Sequence, residues 1–194
     1  MTTAGPSVLQ IGAPSPAISG GLYRAPLGTT LPTDTVTALP VGWTSLGYVD
    51  DDGVTRKEDR PNTRQYAWGG ALVASLQEHY FVSFTFKLYQ ILDPDVEKAV
   101  HSDSNVTVTA ATSTTGTLVN TTLNPKLNIN AAWVVDGYYQ SATMRLAIPI
   151  ARVTQLGDMK WTHKTLSLYD ITLDAFPDTS GNFVYQMFDD GIHT

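Results

Sequence analysis

Alternation of apolar and polar residues in short runs is the feature that most constrains the fold of this chain. Residues 80–90 alternate aromatic or β-branched residues with polar ones, and residues 141–156 place methionine, leucine or isoleucine at every second position from 144 to 150. Successive side chains of a strand point to opposite faces of a sheet, so this period predicts strands with one buried face. Shorter runs of the same kind occupy residues 106–109, 117–122, 165–176 and 182–188.

Turn-forming and strand-breaking residues mark where the predicted strands end. Asp136-Gly137 is a strong hairpin dipeptide, and it predicts that residues 127–139 form two paired strands. Residues 71–79 also fit a helical spacing, but we interpret them as a strand that continues into residues 80–90. Proline has no backbone N–H, so Pro149 predicts either a sheet edge or a bulge within its strand.

Only residues 93–101 carry the signals of a helix. Asp93 is a preferred N-cap residue and Pro94 suits the first helical position. Acidic residues follow in the first turn, and His101 lies at the end. We therefore predict an all-β fold with one short α-helix at about residues 93–102.

The segment at residues 21–39 is apolar, yet it lacks a clear strand or helix period. Its prolines at 26 and 32, and a third at 40, remove backbone donors and fix φ, which predicts that it does not lie within a sheet or a helix. It is too apolar for a solvated linker, so we expect it to lie against its own domain or a neighbouring copy. The residues predicted to make these contacts are Leu22, Tyr23, Pro26, Leu27 and Leu31.

We interpret the length of the chain as one domain with extended ends. A chain of 194 residues can bury a substantial core without a second domain. The predicted organisation is an N-terminal arm at residues 1–39, a β-domain at residues 40–176 and a C-terminal strand and tail at residues 177–194. Charged residues make up only 15% of the chain, which indicates that contacts hide much of its surface.

A charged turn follows a short strand candidate at residues 43–49. The acidic run at residues 50–53 ends in glycine and predicts a turn with positive φ at that residue. Its acids do not alternate with other residues as calcium ligands do, so we expect no calcium site. The charged side chains of the predicted exposed loop are Asp50, Asp51, Asp52, Arg56, Lys57 and Glu58.

The chain lacks the residue patterns of catalytic, metal and cofactor sites. Its four histidines, His79, His101, His163 and His193, show no spacing of zinc ligands, and the chain has no cysteine. It has neither a Gly-x-Ser-x-Gly elbow nor a phosphate-binding glycine loop. We therefore expect no catalytic residue, no metal and no cofactor, and a function that is not enzymatic.

Charge and hydropathy restrict the partners of the chain. A net charge of −6 argues against tight nucleic-acid binding, because that affinity comes largely from lysine and arginine. An acidic surface instead repels phosphate. The first charged residue is Arg24, and no apolar run approaches the ~20 residues of a membrane helix, so we expect neither a signal peptide nor membrane insertion.

Two stretches carry a family resemblance: residues 21–34, GLYRAPLGTTLPTD, and residues 43–54, WTSLGYVDDDGV. They resemble the amino-terminal part of the major tail proteins, or tail tube proteins, of long, non-contractile-tailed bacteriophages, especially those of actinobacterial hosts. Family members often have serine and glutamate where Asp51 and Asp52 keep the turn acidic in this chain. Beyond residue 59 the resemblance rests on the order of the elements.

The resemblance implies a structural virion protein with a β-sandwich or barrel and a flanking helix. It implies hexameric rings stacked into a tail tube, through which DNA passes into the host without specific binding. The N-terminal arm, a long inter-subunit loop at about residues 49–63 and the tail after residue 176 would reach neighbouring subunits and rings. Tape-measure and tail-tip or terminator proteins are the implied partners, with assembly in the host cytoplasm and a final location in the virion tail.

Two other interpretations of the sequence stay open. Trp133, Tyr138, Tyr139 and Trp161 would suit a monomeric β-sandwich recognition module that binds carbohydrate or a receptor on a virion or cell surface. That interpretation leaves the apolar arm unexplained. A capsid shell or head–tail connector protein would also take part in viral assembly, but it would form shells or a single ring. The sequence does not assign the residues that face a bore.

Overall fold

Thirteen strands and one α-helix make up residues 13–14 and 21–192, the part of the chain that this computed structural model describes. The predicted all-β class with one short α-helix is confirmed. The elements are β1 (Ala13–Pro14), β2 (Leu22–Pro26), β3 (Thr44–Ser45), β4 (Thr55–Asp59), β5 (Asn62–Tyr66), β6 (Leu72–Gln77), β7 (Phe81–Leu88), α1 (Pro94–His101), β8 (Val106–Thr109), β9 (Leu118–Thr121), β10 (Ala131–Tyr139), β11 (Ala142–Leu156), β12 (Tyr169–Ala175) and β13 (Tyr185–Asp189).

Nine of the strands form one antiparallel sheet. Its order is β3-β2-β10-β11-β12-β7-β4, with β1 also paired to β10 and β13 also paired to β11. The other four strands form two separate hairpins, β5–β6 and β8–β9. Antiparallel strands commonly turn one face to the core and one outward, which explains the alternation seen in the sequence.

The longest strand, β11, divides the sheet at Pro149. Its residues 143–147 pair with β13, whereas residues 151–156 pair with β12 along the same edge. On the opposite edge, the pairing with β10 shifts register at the same place. Proline cannot donate to a ladder, so it is tolerated where the ladder is interrupted. The bulge predicted at Pro149 is confirmed, and it lies in an interior strand.

Strands on both sides of β11 bury their inward faces in one core. Trp133 of β10 and Phe86 of β7 lie on opposite sides of β11 in the strand order, and their ring centroids lie 6.1 Å apart. Burying each large apolar side chain contributes about 1.5–3 kcal/mol. On one side of the core, Arg56 of β4 donates a hydrogen bond of 2.6 Å to Gln186 of β13. This contact brings β4 and β13 together, although they do not pair with each other.

Helix α1 begins with the predicted cap. The carboxylate of Asp93 accepts a hydrogen bond of 2.9 Å from the backbone N–H of Asp95, and Pro94 is the first helical residue. The helix ends after His101, because Ser102 has a φ of 75° and leaves the helical conformation. Its inward residues, Val96, Ala99 and Val100, pack into the core.

The hairpin predicted at Asp136-Gly137 is wrong. Strand β10 runs through both residues, and the turn lies at residues 140–141. The carboxylate of Asp136 accepts hydrogen bonds of 2.7 and 2.8 Å from the guanidinium of Arg145 on β11. This bidentate pair satisfies the aspartate within the sheet, so a tertiary contact overrides the local turn preference.

The strand predicted through residues 71–90 is two strands. β6 pairs with β5 in a separate hairpin, whereas β7 lies within the main sheet between β12 and β4. The strand interpretation of residues 71–79 is therefore confirmed over β6. What the alternation did not show is that the two strands belong to different sheets.

Part of the segment predicted to lie outside any sheet is a strand. β2 pairs with β10 along its whole length and with β3 on its other edge. Pro26 is its last residue, where a missing N–H disturbs the ladder little. The prediction is thus wrong for residues 22–26. Residues 1–12 and 15–20 of the predicted arm lie outside the described residues.

Candidate assembly surfaces

The hairpin of β5 and β6, at residues 62–77, is separate from the main sheet. Its two strands pair only with each other. At the tip, the backbone N–H groups of Ala67 and Gly70 donate to the carbonyls of Ala71 and Ala67, each at 2.8 Å. Gly70 has a φ of 80°, a conformation that glycine adopts without steric cost. The glycine turn therefore fixes the length of the hairpin.

This hairpin exposes apolar side chains around its tip and along β6. Tyr66 pairs directly with Leu72 beside the turn, on the face that Arg64 shares. Leu76 pairs with Thr63 and lies on the other face, because the register shifts between Gln65 and Tyr66. The side chains of Tyr66, Leu72 and Leu76 are 59%, 55% and 57% exposed, and Trp68 at the tip is fully exposed. The polar residues Asn62, Arg64, Ser75 and Gln77 lie nearer the base of the hairpin.

A hairpin of this kind favours contact with another molecule. An isolated two-stranded hairpin is only marginally stable in water, and a contiguous exposed apolar patch marks an interaction site. No charged residue occurs between Gln65 and Gln77. The surface that covers the hairpin is therefore expected to be apolar as well.

Strand β4 leaves one edge of the main sheet open. It pairs with β7, and no second strand of the described chain pairs with its other edge. Arg56 lies 3.3 Å from Glu58, and Lys57 lies 3.4 Å from Asp59. Charged side chains protect an open edge from indiscriminate pairing. Since residues 55–59 are a strand, the loop conformation predicted for residues 49–63 is wrong at these positions.

The acidic turn at residues 50–53 is bound to β7 and the residues that follow it. The ammonium group of Lys87 lies 3.3 Å from the carboxylate of Asp50 and 2.6 Å from that of Asp52, and the hydroxyl of Tyr89 donates to Asp50. The hydrogen bond from Tyr89 is the main cause that lowers the pKa of Asp50. Hydrogen bonds to Asp52 and Asp50 raise the pKa of Lys87. The turn is an ion-paired cluster rather than an open acidic surface.

The chain after β2 returns to its own domain at residues 34–37. Arg145 of β11 is 5% exposed, and its guanidinium donates to the carbonyl oxygens of Asp34 and Thr37, each at 2.9 Å. The carboxylate of Asp34 in turn accepts from the backbone N–H groups of Val36 and Thr37. The arginine that binds Asp136 therefore also holds this turn on the sheet.

The five predicted arm residues have different environments. Leu22 is completely buried in the core of its own domain, so its predicted role as a contact to another subunit is wrong. Tyr23 and Leu31 are half-buried, whereas Pro26 and Leu27 are exposed. Contact of these four residues with a neighbouring subunit stays a prediction.

A cavity of about 340 Å³ lies between α1, the end of β11 and the loop at residues 157–168. At its base, the buried carboxylate of Glu97 accepts hydrogen bonds from the hydroxyls of Tyr169 (2.5 Å) and Thr121 (2.6 Å). Burial raises the pKa of Tyr169 and lowers that of His101, so both are uncharged at neutral pH. Its apolar lining consists of Leu123, Leu156, Met159 and Trp161.

The aromatic residues considered for recognition do not share one exposed surface. Trp133 is buried in the core, Tyr138 and Tyr139 are half-buried, and Trp161 is exposed beside the cavity. The four residues therefore do not build the carbohydrate platform that the recognition interpretation requires. Within the described residues, no helix is both long and apolar enough to cross a bilayer.

The histidines do not gather into a metal site within the described residues. His79 follows β6, His101 ends α1 and His163 lies in the loop at residues 157–168. His193 lies outside the described residues. The carboxylates of Asp50, Asp51 and Asp52 lie within 4.8 Å of one another, but Lys87 already pairs with two of them.

Comparison with protein families shows which family this chain belongs to. The model of the phage tail tube protein family matches residues 15–190. The chain belongs to this family. None of the curated proteins matches the chain. Among solved structures, it is similar to a chain of the sheath–tube complex of an extracellular contractile injection system (PVC, extended state), with 9% identity and a TM-score of 0.44 over 95% of this chain and 99% of that one.

Membership of the tail tube protein family establishes a structural role. Tail tube proteins are components of the virion tail, they self-assemble into a tube with other tail components, and they are not an enzyme family. The resemblance seen in residues 21–54 is thereby confirmed.

The sequence analysis did not predict that residues 62–77 form a separate, exposed hairpin in this tail tube protein. Residues 71–76 were interpreted as part of a longer strand, although they show no alternation of apolar with charged residues. Two signals were available: Gly69-Gly70 is a hairpin dipeptide, and residues 65–77 carry no charge. Together they indicate a hairpin whose side chains around the turn are uncharged and largely apolar.

Proposed function

We propose that this tail tube protein assembles as hexameric rings that stack into the tail tube, and that genomic DNA passes through the bore during ejection into the host. The exposed apolar side chains of hairpin β5–β6, at Tyr66, Trp68, Leu72 and Leu76, are the observation that carries the proposal. Such side chains gain stability only when another surface covers them. Contacts between unlike surfaces of identical subunits produce an open filament, as a tube requires.

Within a ring, we assign the lateral contact to sheet edges. Strand β4 has an unpaired edge in the described chain, and pairing with a strand of the neighbouring subunit would complete its backbone hydrogen bonds. Six subunits joined in this way would close one continuous barrel around the bore. The copy number of six comes from the family resemblance.

The charge of the chain suits a conduit for DNA. Each copy carries a net charge of −6, so a ring concentrates negative charge around the bore. Phosphate groups are repelled by such a surface, and DNA moves past without specific binding. The bore-facing residues stay unassigned.

Further contacts between rings are assigned to the ends and to the charged turn. The N-terminal arm outside the core, with exposed Pro26 and Leu27, and the residues after β13 would reach neighbouring subunits. Since β13 pairs with β11, residues 185–189 of the predicted tail belong to the subunit's own sheet. The charged residues at 50–58 would contact the adjacent ring. Tape-measure and tail-tip or terminator proteins complete the tail, which assembles in the host cytoplasm before it becomes part of the virion.

Electron microscopy of the purified full chain tests the proposal. We expect hollow tubes with sixfold end views. The double variant Leu72→Ser/Leu76→Ser should abolish them, because it removes two of the exposed apolar side chains of the hairpin. The matched control Ser75→Ala/Gln77→Ala changes two polar residues of β6 and should keep the tubes.

Sedimentation measures the same outcome in solution. If the full chain, with or without tail-tip proteins, sediments as a monomer at every concentration, self-assembly is contradicted and the monomeric recognition module regains support. Closed shells or a single ring would instead favour the capsid or connector interpretation. Rings with a symmetry other than six would contradict the copy number alone.

A further inference from the structure

We infer that Trp68, at the tip of hairpin β5–β6, inserts into the cavity beneath residues 157–168 of the next copy along the tube. The inference rests on the proposed stacking of rings. It identifies the two surfaces that meet between rings: an indole on one copy and a preformed apolar cavity on the other.

The hairpin and the cavity lie at opposite ends of the same strands. Asp59 of β4 pairs with Phe81 of β7, and the hairpin is the connection between these two residues. At the other end of β7, Leu88 pairs with Tyr169, which lines the cavity. The eight residues of β7 span about 26 Å at roughly 3.3 Å per residue. Copies stacked in the same orientation along β7 therefore bring the hairpin of one towards the cavity of the next.

The two surfaces match in chemistry. The indole of Trp68 is fully exposed, and its hairpin carries no charge between residues 65 and 77. Leucine, methionine and tryptophan side chains line the cavity, and Trp161 at its rim is 78% exposed. A tryptophan that enters such a cavity buries about 150–250 Å² and gains an aromatic neighbour. Both exposed tryptophans are thereby removed from water in one contact.

Closing the cavity leaves the carboxylate of Glu97 with its hydrogen-bond partners. Each carboxylate oxygen of Glu97 already accepts a hydrogen bond, one from Tyr169 and one from Thr121. An indole above the carboxylate therefore leaves neither oxygen without a donor. His101 is uncharged at neutral pH because burial lowers its pKa. A buried indole N–H requires an acceptor, and the hydroxyl of Thr121 keeps a free lone pair for it.

A second copy of the chain is the occupant that these observations favour. Each copy carries one tip and one cavity on unlike surfaces, and a contact of that type repeats without closing. Self-assembly of tail tube proteins supplies a neighbouring copy. The tip of one hairpin would thus connect each ring to the next.

Disulfide trapping tests the contact directly, because the chain contains no cysteine. Gly69→Cys adds a thiol beside Trp68, where a Cβ atom meets no other atom within 4 Å. Met159→Cys adds a thiol in the cavity lining. In tubes grown from an equal mixture and then oxidised, we expect Cys-to-Cys peptides that join positions 69 and 159. The control Gly116→Cys, in an equally open turn, should not cross-link to position 159.

The outcomes separate this inference from the proposed function. Tubes that form but give no cross-link between positions 69 and 159 overturn the cavity contact and leave the stacked tube standing. Cross-links between two copies of position 69 overturn it in favour of a contact between hairpin tips. If the unmodified chain forms no tubes, the proposed function fails and this inference fails with it.

Variants of the two surfaces supply an independent measurement. Trp68→Ala should raise the critical concentration for tube growth roughly thirtyfold, as expected for a central anchor residue. Met159→Glu, which places a charge in the cavity, should act similarly. The double variant should be no worse than either single variant if the two residues meet, whereas additive effects would overturn the contact. Gln77→Ala, at the base of the hairpin, should change the critical concentration less than about threefold.

Discussion

Arg145 connects parts of the chain that are distant in sequence. Its guanidinium binds the carboxylate of Asp136 on β10 and the carbonyl oxygens of Asp34 and Thr37 in the loop after β2. Both members of the ion pair are largely buried, with side-chain exposures of 6% and 13%. For a buried ion pair, the net attraction contributes little to stability, whereas removing one partner is costly because the other charge stays buried and unpaired.

The first prediction concerns this ion pair. Arg145→Met should lower the free energy of unfolding by about 3 kcal/mol, because it leaves the Asp136 carboxylate buried and unpaired. Urea denaturation measures the change. The double variant Arg145→Met/Asp136→Asn should recover part of the loss, since no lone charge remains. Lys98→Met, which removes an exposed helical pair, should cost less than about 0.5 kcal/mol. Equal losses in both single variants would contradict the argument.

Asp50 predicts how stability depends on pH. Its pKa in the folded chain lies below the ordinary value of 3.8, chiefly through the hydrogen bond from Tyr89. The unfolded chain therefore binds more protons over this interval, and the stabilisation is complete above 3.8 and is lost as the pH falls through the lowered pKa. Asp50→Asn should reduce stability at neutral pH and flatten this part of the acid profile.

Urea denaturation at pH values above and below 3.8 checks this sign. Asp51→Asn is the matched control, because Asp51 lies in the same turn but does not share the contacts of Asp50 with Tyr89 and Lys87. An acid profile that is unchanged by Asp50→Asn would show that other carboxylates control acid unfolding.

At the scale of elements, helix α1 and hairpin β5–β6 obtain their stability in different ways. The helix is eight residues long, short for independent stability, and is held by its cap and by the core against which it packs. The hairpin has no such support within its own domain. We therefore expect changes in the helix to alter the stability of the subunit and changes in the hairpin to alter assembly.

The cap of α1 gives a quantitative prediction at this scale. Asp93→Ala removes the acceptor for the backbone N–H of Asp95 and should lower the free energy of unfolding by about 1 kcal/mol. Asp93→Ser keeps an acceptor and should be nearly neutral. Thermal unfolding of the two variants measures the difference, and equal melting temperatures would mean that the cap does not stabilise the helix.

At the scale of the whole molecule, like charge opposes assembly and apolar contact favours it. Every copy carries a net charge of −6, so subunits repel one another as they approach. The proposed contact between Trp68 and the cavity of the next copy is apolar and does not depend on an ion pair across the interface. Salt screens the repulsion but leaves apolar contacts in place.

The prediction is that moderate salt promotes tube growth. Light scattering should show a lower critical concentration as sodium chloride rises from low to physiological ionic strength. The expected change is several-fold, because the Debye length falls from about 30 Å to about 8 Å over that range. A critical concentration that rises with salt would show that ion pairs between subunits hold the tube.

Local sequence patterns predicted the structure correctly where neighbouring residues alone determine the conformation of a segment. The cap at Asp93, the turn ending in Gly53 and the strand predicted at residues 141–156 each depend on neighbouring residues, and each is found where the sequence placed it. The predicted alternation ends at Pro149, after which Ala151 and Val153 face the core in place of Ile150. The family resemblance also rested on a continuous stretch. The same reasoning failed at Asp136-Gly137, where a distant arginine decides the conformation.

By itself, the sequence determined the all-β class, the one capped helix and the resemblance to tail tube proteins. Only the tertiary structure decided which apolar residues are available. Both Leu22 and Leu72 are leucines within strands. Pairing with β10 places Leu22 in the core, whereas Leu72 is 55% exposed on a hairpin that pairs with no other strand of the described chain. Exposure depends on contacts between distant segments, and local periodicity contains no information about them.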